Sequence, residues 1–184
     1  MLEVIVHGRG GQGAVTLSQL VAIASFYEGK YSQAFPVFGI ERRGAPAAAY
    51  IRIDEKPILL RQQIYEADMI IVLDTTLLPI LDIKGTLKKK GSLYVNSHKS
   101  PDELKKEYSL QGIDVCAFDA TSLAMQVFKK NIVNTVMFAV FAALTKLIHL
   151  NAAYRAIEER FSHSKEMIIL NKKIIGEVYS RLYK

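Results

Sequence analysis

One stretch of the sequence decides the fold: residues 7–24, which read HGRGGQGAVTLSQLVAIA. The mostly apolar residues 2–6 just before it predict a β-strand. After the glycines, apolar side chains recur at the helical spacing that forms one buried face, at Leu17, Leu20, Val21 and Ala24. The glycines between strand and helix leave the backbone open to close approach. Strand, glycine turn and helix in this order present backbone N–H groups and the positive end of a helix dipole to an anion.

Strand-like and helical patterns then alternate along the chain, which is typical of a mostly parallel sheet with helices on its faces. Further strand-like runs lie at residues 31–35, 47–53, 69–73, 93–95 and 115–118. Residues 31–53 differ, because two extended pieces are joined by residues 39–46 without a helix between them. This departure predicts a hairpin-like pair of strands and therefore a mixed sheet.

The chain after Asp119 is predicted to be wholly helical, with helices over residues 121–130, 134–149, 151–161 and 165–183. We therefore predict an α/β fold: a mostly parallel but mixed, Rossmann-like sheet with helices on both faces and a helical C-terminal region. The 184 residues contain no internal repeat, low-complexity stretch or linker, which predicts a single domain over residues 1–184.

Charge and hydropathy exclude several classes of protein. The net charge of +6 comes mostly from scattered lysines, which suits a solvated surface and also favours an acidic partner or an anionic ligand through steering. Basic stripes interleaved with aromatic residues are absent, so nucleic acid is not expected as a partner. Residues 132–150 are the most apolar segment, but their longest pure run, 136–144, is too short to cross a membrane. This segment is predicted to be a core helix, and no membrane partner is expected.

Cys116 is the only cysteine. A single thiol forms no internal disulfide and cannot by itself hold an iron–sulfur cluster or a thiolate zinc site. Its position in the apolar run 113–118 favours a packing role over a nucleophilic one. Since the N-terminus also carries no signal-peptide pattern, these features predict a cytoplasmic protein without a metal site of its own.

Polar residues follow four of the predicted strands, at the sheet edge where ligands of parallel sheets usually bind. They are His7, Asp74, Asn96 and Asp119. Asp74, Asn96 and Asp119 can equally cap a helix or close a turn, because helical pattern or proline follows each of them. His7 can equally anchor the glycine turn.

Dinucleotide binding makes one further demand, an acidic residue at the end of the second strand that holds the ribose hydroxyls. The second strand here ends near Phe35 and Pro36 without an acid, and Glu28 lies before that strand. An NAD enzyme is therefore disfavoured, and a stand-alone Rossmann-like nucleotide-binding enzyme is kept only as the alternative function.

A second cluster consists of Glu41, Arg42 and Arg43, on a loop bounded by glycine and proline. Adjacent arginines can bind a phosphate or a carboxylate with forked geometry. The same pair can instead form an ion pair with Glu41 or anchor a subunit boundary. The sequence shows no Ser–His–Asp order, Walker lysine or HxxxH spacing, so no catalytic residue is predicted.

Three segments taken together point to one family. They are HGRGGQGA with the SQL that follows, QAFPVFGIERRGAPAAAYIRI at residues 33–53, and ADMIIVLDTTLL at residues 67–78. In combination they closely resemble the gamma subunit of the 2-oxoacid:ferredoxin oxidoreductases, nearest to the pyruvate and 2-oxoisovalerate branch. The resemblance covers nearly the whole chain. One departure lies at the long helix, which keeps Asn134 and Thr135 of a PNTPMLGAL-like start but not its prolines and glycine.

The resemblance implies a multi-subunit enzyme that oxidatively decarboxylates a 2-oxoacid with coenzyme A, giving acyl-CoA, carbon dioxide and reduced ferredoxin. It implies alpha, beta and delta-type partner subunits, with thiamine diphosphate and Mg²⁺ on alpha and beta and iron–sulfur clusters on beta and delta-type chains. The gamma chain is associated with the coenzyme A side and with assembly. The expected ligand-facing or interface residues are Gly8, Arg9, Gly10, Gly11, Gln12, Gly13, Glu41, Arg42 and Arg43.

Overall fold

The computed structural model describes residues 1–37 and 44–182. Six strands form one sheet in the order β2-β3-β1-β4-β5-β6. Their bounds are β1 (Leu2–Arg9), β2 (Tyr31–Pro36), β3 (Pro46–Asp54), β4 (Ala67–Val72), β5 (Leu87–Asn96) and β6 (Asp114–Phe118). β1, β4, β5 and β6 run parallel, whereas β3 is antiparallel to both β1 and β2. The predicted mixed sheet, with its antiparallel pair over residues 31–53, is confirmed.

Seven α-helices and one 3₁₀ helix at Thr75–Ile80 complete the described part of the chain. The helices are α1 (Ala14–Tyr27), α2 (Ile83–Thr86), α3 (Pro101–Glu107), α4 (Ala120–Phe128), α5 (Asn134–Thr145), α6 (Leu150–Arg160) and α7 (Lys165–Leu182). The helical C-terminal region is confirmed. The predicted helix over residues 134–149 was too long, because Lys146 adopts a left-handed φ of 56° and ends α5.

Helices cover both faces of the sheet, as predicted, and each face has its own apolar core. The larger core packs α1 and α4–α7 against one face, with Val4 and Val6 of β1 pointing into it. The smaller core lies under the 3₁₀ helix, α2 and α3, with Ile5 of β1 pointing into it. Successive side chains of a strand point to opposite faces, so β1 contributes to both cores.

The most apolar segment of the sequence is the centre of the larger core. All residues from Asn134 to Ala143 in α5 are buried. A helix that is apolar all round is stable only when other elements surround it, which α1 and α7 do here. Across residues 1–37 and 44–182, no helix combines the length and the apolar character that a membrane span requires.

The strand order determines where a ligand site can lie. From β1 the sheet extends to β3 on one side and to β4 on the other. Open α/β sheets bind ligands beyond the carboxyl ends of their strands, at the point where the order reverses. Here that point is the gap between the end of β1 and the end of β4. The glycine turn leaves β1 at this gap, and Asp74 follows β4 at the same edge.

Candidate functional site

The glycine turn, at residues 8–13 where β1 leads into α1, is tight and requires glycine at two positions. The Gln12 N–H donates to the Arg9 carbonyl oxygen at 2.9 Å, which closes a β-turn. Gly11 and Gly13 have φ values of 96° and 83°, a region that side chains disfavour. At Gly13 there is also no room, because a Cβ would lie 2.5 Å from Nδ2 of Asn134. The start of α5 therefore packs directly beneath the turn.

Helix α1 begins at the turn with an open N-terminus. Gly13 is the N-cap, no described side chain caps the helix, and its first turn carries no acidic residue. The first N–H groups of a helix have no intrahelical acceptor, and the helix dipole makes this end positive. A turn without side chains that leads into such a helix is suited to binding an anionic group.

The turn is tied to the segment that enters β3. The Gly10 N–H donates to the Ala45 carbonyl oxygen at 2.8 Å, and the Gly44 N–H donates to the Gly10 carbonyl oxygen at 3.1 Å. Glu41, Arg42 and Arg43 lie outside the described residues, so their predicted role in the site stays a prediction. Gly44 and Ala45, which follow them, are in contact with the glycine turn.

On its other side the turn is tied to the end of β4 through Asp74. Gln12 donates through Nε2 to Asp74 Oδ2 at 2.9 Å, while its Oε1 accepts from the Arg9 N–H at 2.7 Å. Arg9 Nε lies 3.3 Å from the same Asp74 oxygen. The other Asp74 oxygen accepts from the backbone N–H and the hydroxyl of Thr76, at 3.0 and 2.6 Å. Asp74 thus caps the 3₁₀ helix, as the capping alternative predicted, and also holds the turn.

These contacts keep Asp74 ionised. Partial burial favours a higher pKa for its carboxyl group, but the hydrogen bonds from Thr76 and Gln12 and the charge of Arg9 outweigh burial, and the pKa is lowered. His7, at the end of β1, has its pKa lowered by burial from 6.5 to about 4. His7 is therefore neutral at pH 7 and adds no positive charge beside the turn. Its carbonyl oxygen accepts from the Leu73 N–H at 2.8 Å and extends the pairing of β1 with β4.

A polar cleft of about 370 Å³ runs from the turn across the ends of β4, β5 and β6. Gln12 and Asp74 line one end of it, and Lys99 and Asp119 line the other. Two of its polar residues, Asp119 and Asn96, stabilise the fold through hydrogen bonds to the backbone. Asp119 caps α4 by accepting from the Ser122 N–H at 2.9 Å. Asn96 donates to the Leu73 carbonyl oxygen at 3.0 Å and accepts from the Ala120 N–H at 3.0 Å, which joins β4 to the start of α4.

The described side chains offer no strong nucleophile or metal site. Burial raises the pKa of the half-buried Cys116 thiol, which opposes formation of a thiolate. Within residues 1–37 and 44–182, no group of three or more His, Cys, Asp or Glu side chains is placed to hold a metal ion. Among the described residues, the backbone N–H groups at the start of α1 are the feature of this edge that suits an anion.

The strand was predicted to end before Gly8, but Gly8 and Arg9 still belong to β1, and only residues 10–13 lie between β1 and α1. The sequence also missed the residues that hold the turn. Thr76 gave no signal, because a threonine after Asp74 is ordinary for the start of a helix. The contact of Asn134 with Gly13 joins residues far apart in the sequence. Asp74 had a signal, its position at a strand end, but that signal predicted only a helix cap or a turn and not the contacts with Gln12 and Arg9.

Comparison with known families finds a match along almost the whole chain. Residues 3–181 match the model of the family described as pyruvate ferredoxin/flavodoxin oxidoreductase. The chain is 44% identical to the pyruvate/ketoisovalerate oxidoreductases common subunit gamma of Pyrococcus furiosus, over 98% of this chain and 97% of that protein. It is 47% identical to the pyruvate synthase subunit PorC of Methanocaldococcus jannaschii, over 88% of this chain and 86% of that protein.

A solved structure shares the same fold. The crystal structure of pyruvate oxidoreductase subunit PORC from Thermotoga maritima superimposes with a TM-score of 0.82 and 36% sequence identity. The match covers 97% of this chain and 95% of that one. The strand order and the helical C-terminal region described above are therefore those of a known subunit of this kind.

Proposed function

The chain belongs to the pyruvate ferredoxin/flavodoxin oxidoreductase family, and we propose that it is the gamma subunit of a multi-subunit 2-oxoacid:ferredoxin oxidoreductase. The reaction of the complex is the conversion of pyruvate, coenzyme A and oxidised ferredoxin to acetyl-CoA, carbon dioxide and reduced ferredoxin. Support comes from relatives that carry gamma-subunit or PorC names and match this chain along most of their length. In this proposal residues 1–184 form one domain that works in the cytoplasm.

We assign the redox chemistry to companion chains. Thiamine diphosphate and Mg²⁺ belong to the alpha and beta subunits in this proposal, and iron–sulfur clusters belong to beta and delta-type subunits. One cysteine in 184 residues cannot supply the set of thiolates that an iron–sulfur cluster needs. The chain itself contributes a binding surface and contacts that hold the assembly together.

The observation that carries a coenzyme A role is the open N-terminus of α1 behind the glycine turn. Coenzyme A is a polyanion, and its phosphates suit a positive helix end with free N–H groups. The proposed coenzyme A side consists of the backbone of Gly8–Gly13, with Glu41, Arg42 and Arg43 on the neighbouring loop. Ties to residues 44–45 and to Asp74 keep that backbone in one geometry before the ligand arrives.

Substitution of Gly11 tests this assignment. Gly11 has a positive φ, and a Cβ there would meet no atom of residues 1–37 or 44–182 within 4 Å, so Gly11→Ala places a methyl group on the open face of the turn. In the reconstituted complex we expect Gly11→Ala to raise the KM for coenzyme A about tenfold, equivalent to about 1.4 kcal/mol of lost binding. The KM for pyruvate should change less than about twofold, because it reports a pocket on other chains.

Gly29→Ala is the matched control. Gly29 lies just beyond the opposite end of α1, with a φ of 76° and equally open surroundings. Its substitution imposes the same kind of backbone strain far from the proposed site. An unchanged KM for coenzyme A in Gly11→Ala, or an equal rise in Gly29→Ala, would remove the turn from the coenzyme A site.

The subunit assignment is tested by affinity purification of the tagged chain from its own organism. We expect it to be recovered together with a subunit that binds thiamine diphosphate and with subunits that carry iron–sulfur clusters. Recovery of the chain alone contradicts the assignment. Activity of the recovered complex with pyruvate, 2-oxoglutarate, 2-oxoisovalerate and indolepyruvate then identifies the substrate.

A further inference from the structure

Arg9 is the only cationic side chain within the glycine turn itself, and protein acceptors hold each nitrogen of its guanidinium group. Nη2 donates to Thr76 Oγ1 at 2.7 Å, and Nε lies 3.2 Å from the same oxygen. Nη1 donates to the Gly44 carbonyl oxygen at 3.1 Å. Nε also lies 3.3 Å from Asp74 Oδ2. Each of the three guanidinium nitrogens therefore has an acceptor supplied by the chain.

We propose that Arg9 is a positioning residue and not a ligand for the anion: Thr76 and Asp74 hold its guanidinium group, and through it they hold the glycine turn. This inference rests on the proposed coenzyme A role of the turn. In this inference the backbone N–H groups bind the anion. The Arg9 side chain is a brace: it connects the glycine turn to Gly44, before β3, and to Thr76 and Asp74, after β4.

Electrostatics explain why such a brace is needed. Asp74 is ionised and faces the turn, where its negative charge repels an incoming phosphate. Arg9 neutralises that charge from the turn side, and the Gln12 amide donates to the same oxygen. Without the brace the carboxylate would stand uncompensated beside the open end of α1. Because Arg9 pairs with Asp74, the positive N-terminus of α1 attracts the ligand without an unpaired negative charge beside it.

Thr76 is the residue on which the brace depends. Its hydroxyl group accepts from Arg9 and donates to Asp74 Oδ1, so one oxygen fixes both charged partners. Thr76 is itself exposed, on the first turn of the 3₁₀ helix. A change there removes the hydroxyl group without disturbing either core.

The test uses the reconstituted complex and an isosteric pair of variants. Thr76→Val removes the hydroxyl group and keeps the shape, whereas Thr76→Ser keeps the hydroxyl group. We expect Thr76→Val to raise the KM for coenzyme A about fivefold, the effect of losing roughly one hydrogen bond, with kcat at saturating coenzyme A changed less than about twofold. Thr76→Ser should restore most of the affinity. Melting temperature and subunit content of each complex verify that the assembly is intact.

A double-variant cycle with Asp74→Asn separates a brace from a ligand. If Arg9 is a brace that compensates Asp74, Arg9→Ala raises the KM for coenzyme A by a smaller factor in the Asp74→Asn background than in the wild type, because no uncompensated carboxylate remains. If Arg9 binds the anion directly, Arg9→Ala raises that KM by the same or a larger factor in the Asp74→Asn background, because the contact with the ligand is lost in both. An equal or larger factor overturns the inference, and so does Thr76→Val with an unchanged KM.

Failure of the brace is distinguishable from failure of the proposed function. The Gly11→Ala complex is measured alongside the Thr76 variants. If Gly11→Ala raises the KM for coenzyme A and Thr76→Val does not, the turn binds coenzyme A and only the brace is wrong. If neither variant changes that KM, the coenzyme A role of the turn fails, and the inference fails with it.

Discussion

The two ends of β1 each carry an arginine–carboxylate pair, and the two pairs differ in burial. At the amino end, Arg52 Nε lies 3.0 Å from Glu3 Oε1, and the Arg52 side chain is only 1% exposed. At the carboxyl end, Arg9 Nε lies 3.3 Å from Asp74 Oδ2, with the side chains 33% and 20% exposed. The same chemical pair therefore occurs in one strand both as an interior feature and as part of an open edge.

The amino end is a closed network. Lys88 Nζ lies 3.4 Å from Glu3 Oε2 and 2.9 Å from Asp68 Oδ2, and the Glu3 N–H donates to Asp68 Oδ2 at 2.8 Å. Charges balance within this group, and it joins β1, β3, β4 and β5. The carboxyl end instead leaves a helix N-terminus open beside a polar cleft. The comparison indicates that the buried Arg52–Glu3 pair stabilises the fold, whereas the partly exposed Arg9–Asp74 pair positions the glycine turn.

The largest effect on stability is expected from breaking the buried pair. Glu3→Ala leaves the Arg52 guanidinium group buried without its carboxylate, which should lower the free energy of unfolding by about 3–5 kcal/mol. Asp74→Ala, at the partly exposed end, should cost about 1 kcal/mol, the usual loss of a helix cap. Urea unfolding of both variants at pH 7 measures the difference, and equal losses would contradict the division between the two ends.

A double variant tests whether the unpaired charge of Arg52 causes the instability of Glu3→Ala. Replacing Glu3 and Arg52 together by methionine removes both buried charges and keeps apolar volume. We expect this double variant to be at least about 2 kcal/mol more stable than Glu3→Ala, because no unpaired charge remains. A double variant as unstable as Glu3→Ala would show that packing, not charge, sets the cost.

A smaller effect on stability is expected at the glycine turn. Gly13→Ala combines a positive φ with an overlap against Asn134, and should lower the free energy of unfolding by about 2–3 kcal/mol. Gly11→Ala, with a similar φ and open surroundings, should cost only about 1 kcal/mol. Asn134→Gly in the Gly13→Ala background should recover the part due to overlap. Equal losses of unfolding free energy for Gly11→Ala and Gly13→Ala would show that the packing of α5 against Gly13 does not contribute.

Periodicity predicted the strands and most helices because those elements bury apolar side chains in regular patterns. All six strands overlap their predicted residues, and the antiparallel pair was visible as two extended runs without a helix between them. Two helix ends were misjudged, at Lys129 and Lys146. Each of these lysines ends its helix with a left-handed φ, where glycine or asparagine is the usual signal. Without that signal, the apolar pattern alone extended both helices too far.

The site was predictable only as far as it is local. Residues 8–13 follow one another, so their turn and the open helix end behind them could be predicted from the glycines. The contacts that hold the turn join Arg9 to Thr76, Gln12 to Asp74 and Gly13 to Asn134, and each depends on the order of strands in the sheet. A single sequence contains no direct record of such pairings. Arg9 was expected among the ligand-facing or interface residues from the family resemblance, which does not show what its guanidinium group contacts.

The last effect is on the pH dependence of stability and concerns His7, at the site end of β1 and on the same face as Ile5. Burial lowers its pKa from 6.5 to about 4, so the folded chain resists its protonation. The stability due to neutral His7 is present above pH 6.5 and is lost as the pH falls toward 4. Between pH 7 and pH 5 we expect a loss of about 1–2 kcal/mol that His7→Gln does not show. His163→Gln, at an exposed histidine before α7, is the control and should keep the wild-type pH dependence. An unfolding profile of His7→Gln that parallels the wild type over this range would show that His7 titrates alike in the folded and unfolded chains.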